Sequence, residues 1–206
     1  GARKTNARKK AVWFHGENLW WLFRTRDFIP EYDKIYCVSE PVRKQVIARF
    51  PELADRTEVL MNFIDIKQVQ RRSEEPLSDP QYTGELKFLT VGRASEEKGY
   101  DIAVQITAEL KKRGLRFKWF IIGDGRDLNK LRTMAKEYQV EQEIIFLGMR
   151  ENPAPYVKSC DLYLQPSRHE GYPITIVEAR SLQKVIIASD IPSMREQIRD
   201  GENGYL

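Results

Sequence analysis

Apolar residues in this chain come in short runs that alternate with helix-periodic stretches, and from Leu86 onward the alternation is strict. Residues 87–91 (KFLTV), 117–122 (FKWFII), 143–147 (EIIFL), 161–165 (DLYLQ) and 185–188 (VIIA) read as strands, because they are short and rich in β-branched and aromatic side chains. Over 100–113, Ile102, Ile106 and Leu110, with Ala103, recur at helical spacing, and Gly114 is a natural stop. Helices are predicted as well over 126–138, 153–159, 173–182 and 193–199, with Pro153 and Pro173 at first-turn positions. A turn over 201–204 leads to Tyr205 and Leu206, which would open a last strand. Most of the strands are apolar nearly throughout, as strands buried on both faces must be. Such runs, alternating with helices, predict a doubly wound parallel α/β sheet, whose ligands sit at the carboxyl ends of the strands.

The stretch before Leu86 differs. Strands are predicted over 11–14, 34–38 and 57–61, and a helix over 41–50 with Ser39 as its N-cap. Residues 67–85, with their Arg-Arg-Ser-Glu-Glu-Pro and Asp-Pro segments, read as a polar linker. The expected organisation is therefore three-part. Residues 1–62 are the end of an incomplete α/β domain, 63–85 a linker, and 86–206 a ligand-binding domain that stops before its final helix.

Composition narrows the function classes. With 41% hydrophobic and 31% charged residues the chain has an ordinary globular mixture, and its longest apolar runs are far too short to cross a bilayer. The formal charge of +4 is concentrated at the start, where Arg3, Lys4, Arg8, Lys9 and Lys10 stand without an acid among them. This arm reads as solvated residues or a tag scar, or else as a contact for an anionic membrane surface. Nucleic acid is not an expected partner, since no zinc-ligand spacing, RNP-like aromatic string or recognition-helix pattern accompanies the basic run. Cys37 and Cys160 read as buried thiols in a reducing compartment, and His15 and His169 show no metal-ligand spacing.

Three segments carry candidate chemistry. In His169-Glu170-Gly171-Tyr172-Pro173, followed by Glu178, two glutamates with seven residues between them flank the start of a helix. Its N-terminal N–H groups and partial positive charge suit a phosphate. Glu170 at that mouth would face a sugar hydroxyl, and Glu178, one turn into the helix and more, could accept from ribose hydroxyls. In Gly92-Arg93 and, five residues on, Lys98, one loop after a strand offers a forked guanidinium and a compact ammonium, a pair suited to a diphosphate. The third, Gly123-Asp124-Gly125, reads either as a close backbone approach to a ligand or as a tight turn alone. No Asp-x-Asp pair stands anywhere in the chain, so the cations and a helix N-terminus would neutralise a diphosphate in place of a carboxylate-held metal ion.

These segments, VGRASEEKGYD, IIGDGRD, IIFLGMRE, SCDLYLQPSRHEGYPITIVEA and RDGENGYL, occur in the order seen in glycosyltransferase family 4, and the chain resembles that family from about Tyr32 onward. YCVSEPVRK and VLMNFID are similar to the end of the family's first domain, and VWFHG to the strand that carries its histidine. The resemblance implies a two-domain GT-B fold, of which this chain would hold the C-terminal Rossmann-like, donor-binding half. It implies a retaining hexosyl transfer from a UDP- or GDP-sugar to a saccharide or lipid-linked hydroxyl in surface polysaccharide or glycolipid synthesis. The location implied is cytoplasmic, at the inner face of the membrane, with no cofactor and no metal. By position, Arg93 and Lys98 would bind the diphosphate and Glu170 the sugar. Gly92, Gly123, Gly171, Tyr172 and Pro173 would line the donor, Glu178 would hold the ribose, Met149 and Arg150 would lie by the base, and His15 near the reacting sugar, unless it is a structural histidine. Because no complete first domain is expected, the chain alone should bind donor without turning it over. The alternative is a non-catalytic nucleotide or nucleotide-sugar binding module.

Overall fold

The computed structural model of the chain describes residues 6–16 and 29–206; Arg3 and Lys4 of the basic arm lie outside them. In chain order the first elements are β1 (Ala11–Phe14), β2 (Lys34–Cys37), α1 (Glu40–Arg49), β3 (Thr57–Val59) and α2 (Ile66–Ser73). They are followed by β4 (Lys87–Val91), α3 (Tyr100–Lys112), β5 (Lys118–Ile122), α4 (Leu128–Glu137), β6 (Ile144–Gly148) and α5 (Ala154–Ser159). Last come β7 (Leu162–Gln165), α6 (Ile174–Ser181), β8 (Val185–Ala188) and α7 (Pro192–Arg195). The described residues form two compact units. The first contains the chain up to Phe63 with His169–Pro173 and Ile191–Glu196, and the second contains Ile64–Arg168, Ile174–Asp190 and Gln197–Leu206.

In the first unit β1, β2 and β3 form a parallel sheet in that order. Ser39 caps α1, its hydroxyl accepting from the Val42 N–H at 3.4 Å, which satisfies one of the helix's free donors. Phe14, Ile35, Cys37, Val42, Val46 and Leu53 bury themselves between sheet and helix. Burial pushes the thiols of Cys37 here and Cys160 in the second unit up to about 12, so both are inert at neutral pH.

The second unit is a five-stranded parallel sheet in the order β6-β5-β4-β7-β8. The chain lays down β4, β5 and β6 outward in one direction, then returns to place β7 on the other side of β4. The strand order reverses between β4 and β7, and in doubly wound sheets this switch point is where ligands bind. Trp119 pins the strands there: its indole N–H donates to the Thr90 hydroxyl at 2.9 Å, and that hydroxyl donates to the Leu164 carbonyl at 2.7 Å. All these groups are buried, so each bond matters more for the polar group it satisfies than for the ~1 kcal/mol it contributes.

The stretch read as a polar linker is structured. Asp65 caps α2 by accepting from the Gln68 N–H at 2.9 Å. Further on, Tyr82 is buried, its hydroxyl donating to the Tyr156 carbonyl at 2.9 Å and its ring 4.5 Å from that of Phe120. One aromatic anchor in a polar sequence thus fastens the segment to the second unit. The predicted helix over 193–199 is shorter, ending at Arg195, because Asn203 turns back on this stretch, accepting from the Arg199 N–H at 2.7 Å and donating to the Gln197 carbonyl at 3.3 Å.

Candidate functional site

The loop leaving β4 at the switch point holds Gly92, Arg93 and Lys98. Arg93 is exposed and Lys98 half-buried. A Cβ on Gly92 would lie 3.0 Å from the Tyr100 hydroxyl and 3.3 Å from the Lys98 Cε, so the lysine stem runs close over the strand end. Glu97 in the same loop is held below the usual carboxylate range, first by a hydrogen bond with Ser95 and then by its own backbone amide, with the charges of Arg126 and Arg93 adding. The loop therefore carries two cations, Arg93 and Lys98, and two acids, Glu97 and the exposed Glu96. Gly123, at the end of β5, has φ +141, and a Cβ there would stand 1.9 Å from the Gly92 carbonyl oxygen. Its glycine lets two strand-end loops touch.

After β6, Met149 is 76% exposed and presents its thioether to solvent. Arg150 turns the other way. It forms an ion pair with Asp79 at 2.8 Å, receives support from the Tyr156 hydroxyl at 3.0 Å, and donates to the Leu147 carbonyl. Tyr156 in turn donates to Asp79 at 2.9 Å. This cluster lines a cavity of about 620 Å³ between residues 75–81 and the loop after β6. Arg150 thus braces its own loop. Glu178, in α6, lines a small pocket with Val69, Arg72, Asn152 and Leu182. Burial raises its carboxyl pKa, partly opposed by the charge of Arg72.

In the first unit the end of β1 meets the loop 169–173. A Cβ on Gly171 would lie 2.1 Å from the His15 carbonyl oxygen, so the two backbones are in direct contact. Trp13 packs on the His15 ring with centroids 4.5 Å apart and anchors itself by an indole N–H to the Leu60 carbonyl at 2.9 Å. Tyr172 packs on the unit's core and accepts from the Asn62 amide at 3.3 Å through its carbonyl. His15, Gly171 and Tyr172 are therefore neighbours, with Glu170 half-buried and Pro173 buried on either side in the chain.

Sequence reasoning passed over Asp79, Tyr156, Asp101 and Arg168. Arg168 makes a two-point ion pair with Asp101. Among the described residues no group of three or more His, Cys, Asp or Glu is arranged to hold a metal ion, and no helix is long and apolar enough to cross a membrane.

A parallel sheet ordered 3-2-1-4-5 from its first strand defines a Rossmann-like α/β domain, a class whose ligands bind at the switch point. The family profile described as Glycosyl transferases group 1 matches residues 72–206, and the chain belongs to that family. It is 30% identical over 165 residues to an uncharacterised glycosyltransferase of Methanocaldococcus jannaschii, covering 78% of this chain and 40% of that protein. It is also 30% identical over 174 residues to the lipopolysaccharide 1,6-galactosyltransferase of Salmonella typhimurium, covering 82% of this chain and 46% of that protein. The chain thus spans less than half the length of these two relatives. Among solved structures, Anabaena HepE in complex with UDP and glucose shares the fold, with a TM-score of 0.81 and 19% identity over 97% of this chain and 57% of that one.

Proposed function

We propose that the chain forms the donor side of a retaining, family 4 glycosyltransferase that moves a hexosyl unit from a nucleoside diphosphate sugar to an acceptor hydroxyl. The observation that carries this reading is the position of Arg93 and Lys98 on the loop leaving β4 at the switch point. Negative charge builds on the leaving diphosphate as the bond to the sugar breaks, and fixed cations stabilise it most at that moment. In this reading Glu178 accepts from the ribose hydroxyls, the exposed Met149 lies against the base, and Glu170 binds the sugar with the backbone of Gly171, Tyr172 and Pro173. His15, in contact with Gly171, lies near the reacting sugar. The acceptor hydroxyl attacks from the face the diphosphate leaves, so no carboxylate nucleophile is assigned and Glu170 acts by positioning. The two cations take the part that Mg²⁺ plays elsewhere, and no metal is needed.

The donor is a UDP- or GDP-sugar and the acceptor a saccharide or lipid-linked saccharide, in polysaccharide or glycolipid synthesis. The similarity to a lipopolysaccharide galactosyltransferase supports that setting. The work would take place on the cytoplasmic side, with the basic arm around Arg8, Lys9 and Lys10 available to an anionic membrane face.

Calorimetric titration with UDP, GDP and ADP, with and without Mg²⁺, tests the reading. One nucleotide should bind in either condition, and Arg93→Ala should weaken it by about tenfold or more, the worth of a charge-assisted contact. Undiminished binding in Arg93→Ala and Glu178→Ala together would remove the site from this edge of the sheet.

A further inference from the structure

The loops leaving β4 and β7 are neighbours at the switch point, and within the second unit one residue ties them together. The Arg168 backbone N–H donates to the Glu97 carbonyl at 2.7 Å. Its guanidinium donates to both carboxylate oxygens of Asp101, at 2.7 and 2.6 Å, and to the Glu96 carbonyl at 3.1 Å. Glu96 and Glu97 begin the short 3-10 turn Glu96–Lys98, so the residue that this grip holds in place is Lys98. The following residue, Gly99, has φ +65, and a Cβ there would lie 2.0 Å from the Pro166 carbonyl oxygen. Only glycine permits both that backbone conformation and that approach. Residues 166–168 therefore hold the turn at Glu96, Glu97 and Gly99 and fix the first turn of α3 at Asp101. The two side chains are about one-third exposed, 35% and 34%, so the Coulomb gain is modest. What a forked, two-point pair supplies is orientation.

We propose that the Arg168–Asp101 pair is a positioning device for the donor site, setting the turn that presents Lys98 to the donor diphosphate. The inference rests on the donor-site reading given above. Neither residue touches the donor; both act through the turn.

Charge and position make opposite predictions at Asp101, and the test uses that. Removing an acid near an anion site tightens binding if only its charge matters, and weakens binding if it holds a cation in place. The intact 206-residue chain, Arg93→Ala, Arg168→Ala, Asp101→Ala and the Arg168→Ala/Asp101→Ala double variant are titrated calorimetrically. The probes are UDP, GDP and ADP, each against its own monophosphate. Both single variants should weaken diphosphate binding by about tenfold while changing monophosphate binding much less, and the double variant should be no worse than either single, as expected for partners in one interaction. If Asp101→Ala binds diphosphate as tightly as the parent or more so, while Arg93→Ala loses it, the positioning role is overturned and the donor site stands. Equal losses for mono- and diphosphate would also overturn it, since the pair would then serve the fold at large. A parent chain that binds no nucleotide, or an Arg93→Ala variant that binds normally, brings down the donor-site reading and this inference with it.

Discussion

Burial raises the Glu178 carboxyl above its ordinary range, with the nearby Arg72 charge pulling the other way. A carboxyl whose folded pKa is raised holds its proton more tightly in the folded state. Its contribution to stability is complete below the unfolded value of about 4.3, and is lost as pH rises through the folded value. Once ionised, Glu178 carries a desolvation cost that Arg72 meets only in part, and ribose hydroxyls donating to it would offset the rest. Two outcomes are expected. Nucleotide affinity should fall as pH drops through the raised pKa, because protonation removes the charge that makes the carboxylate a strong acceptor. Glu178→Gln, which cannot ionise, should weaken binding at neutral pH by about tenfold and flatten that pH dependence, while leaving the thermal midpoint unchanged or higher. Binding followed by calorimetry across pH, with melting on the same samples, checks both. A variant that keeps the parent's affinity and pH slope would detach Glu178 from the nucleotide.

At the scale of elements, the sequence pattern was enough to place the strands of the second unit, since apolar runs buried on both faces leave little choice of structure. Arg93 and Lys98 could be singled out as candidates because both lie within one short loop. The pattern could not mark the bracing pairs. Arg150 meets Asp79 across 71 residues and Arg168 meets Asp101 across 67, so these contacts exist only once the sheet has brought the loops together. The resemblance sets Arg150 by the base, and the fold adds a partner set that the sequence could not show, the Asp79 and Tyr156 cluster that stiffens the loop after β6. Burial works to raise the Asp79 pKa, but hydrogen bonds from Arg150, the Gln81 backbone and Tyr156 outweigh it, and the carboxyl is held below its ordinary value. That lowered pKa contributes stability above the unfolded value of about 3.9 and loses it as pH falls through the folded one. Asp79→Ala leaves a partly buried guanidinium without its acid, at a cost of about 1–3 kcal/mol at neutral pH. Urea unfolding should show that deficit at pH 7 and show it shrinking in acid. A deficit independent of pH would mean that lost packing, and not the ion pair, is responsible.

Taken as a whole molecule, the chain carries a formal charge of +4, and at the proposed donor edge Arg93 and Lys98 sit in one loop with Glu96 and Glu97, the latter held ionised. A nucleoside diphosphate approaching this edge meets a field set by side chains alone if the metal-free reading holds. Two consequences separate that mechanism from a metal-assisted one. Screening weakens attraction between partly exposed charges as the Debye length contracts from about 10 Å at 0.1 M salt to about 3 Å at 1 M, so diphosphate affinity should fall with added NaCl, and fall less in Arg93→Ala, which has one cation fewer to screen. Mg²⁺ should act as a competitor. By binding the diphosphate in solution it lowers the ligand's charge and occupies the oxygens that Arg93 and Lys98 would grip, so affinity in millimolar Mg²⁺ should equal or fall below that in EDTA. A transferase that recruits the ion through its own carboxylates would show the reverse, binding only weakly in EDTA and gaining affinity as Mg²⁺ is added. Titrations in EDTA and in Mg²⁺, each at low and high NaCl, therefore read the source of the neutralising charge directly. A gain of tenfold or more in Mg²⁺ would assign it to the ion and leave Arg93 and Lys98 a lesser part.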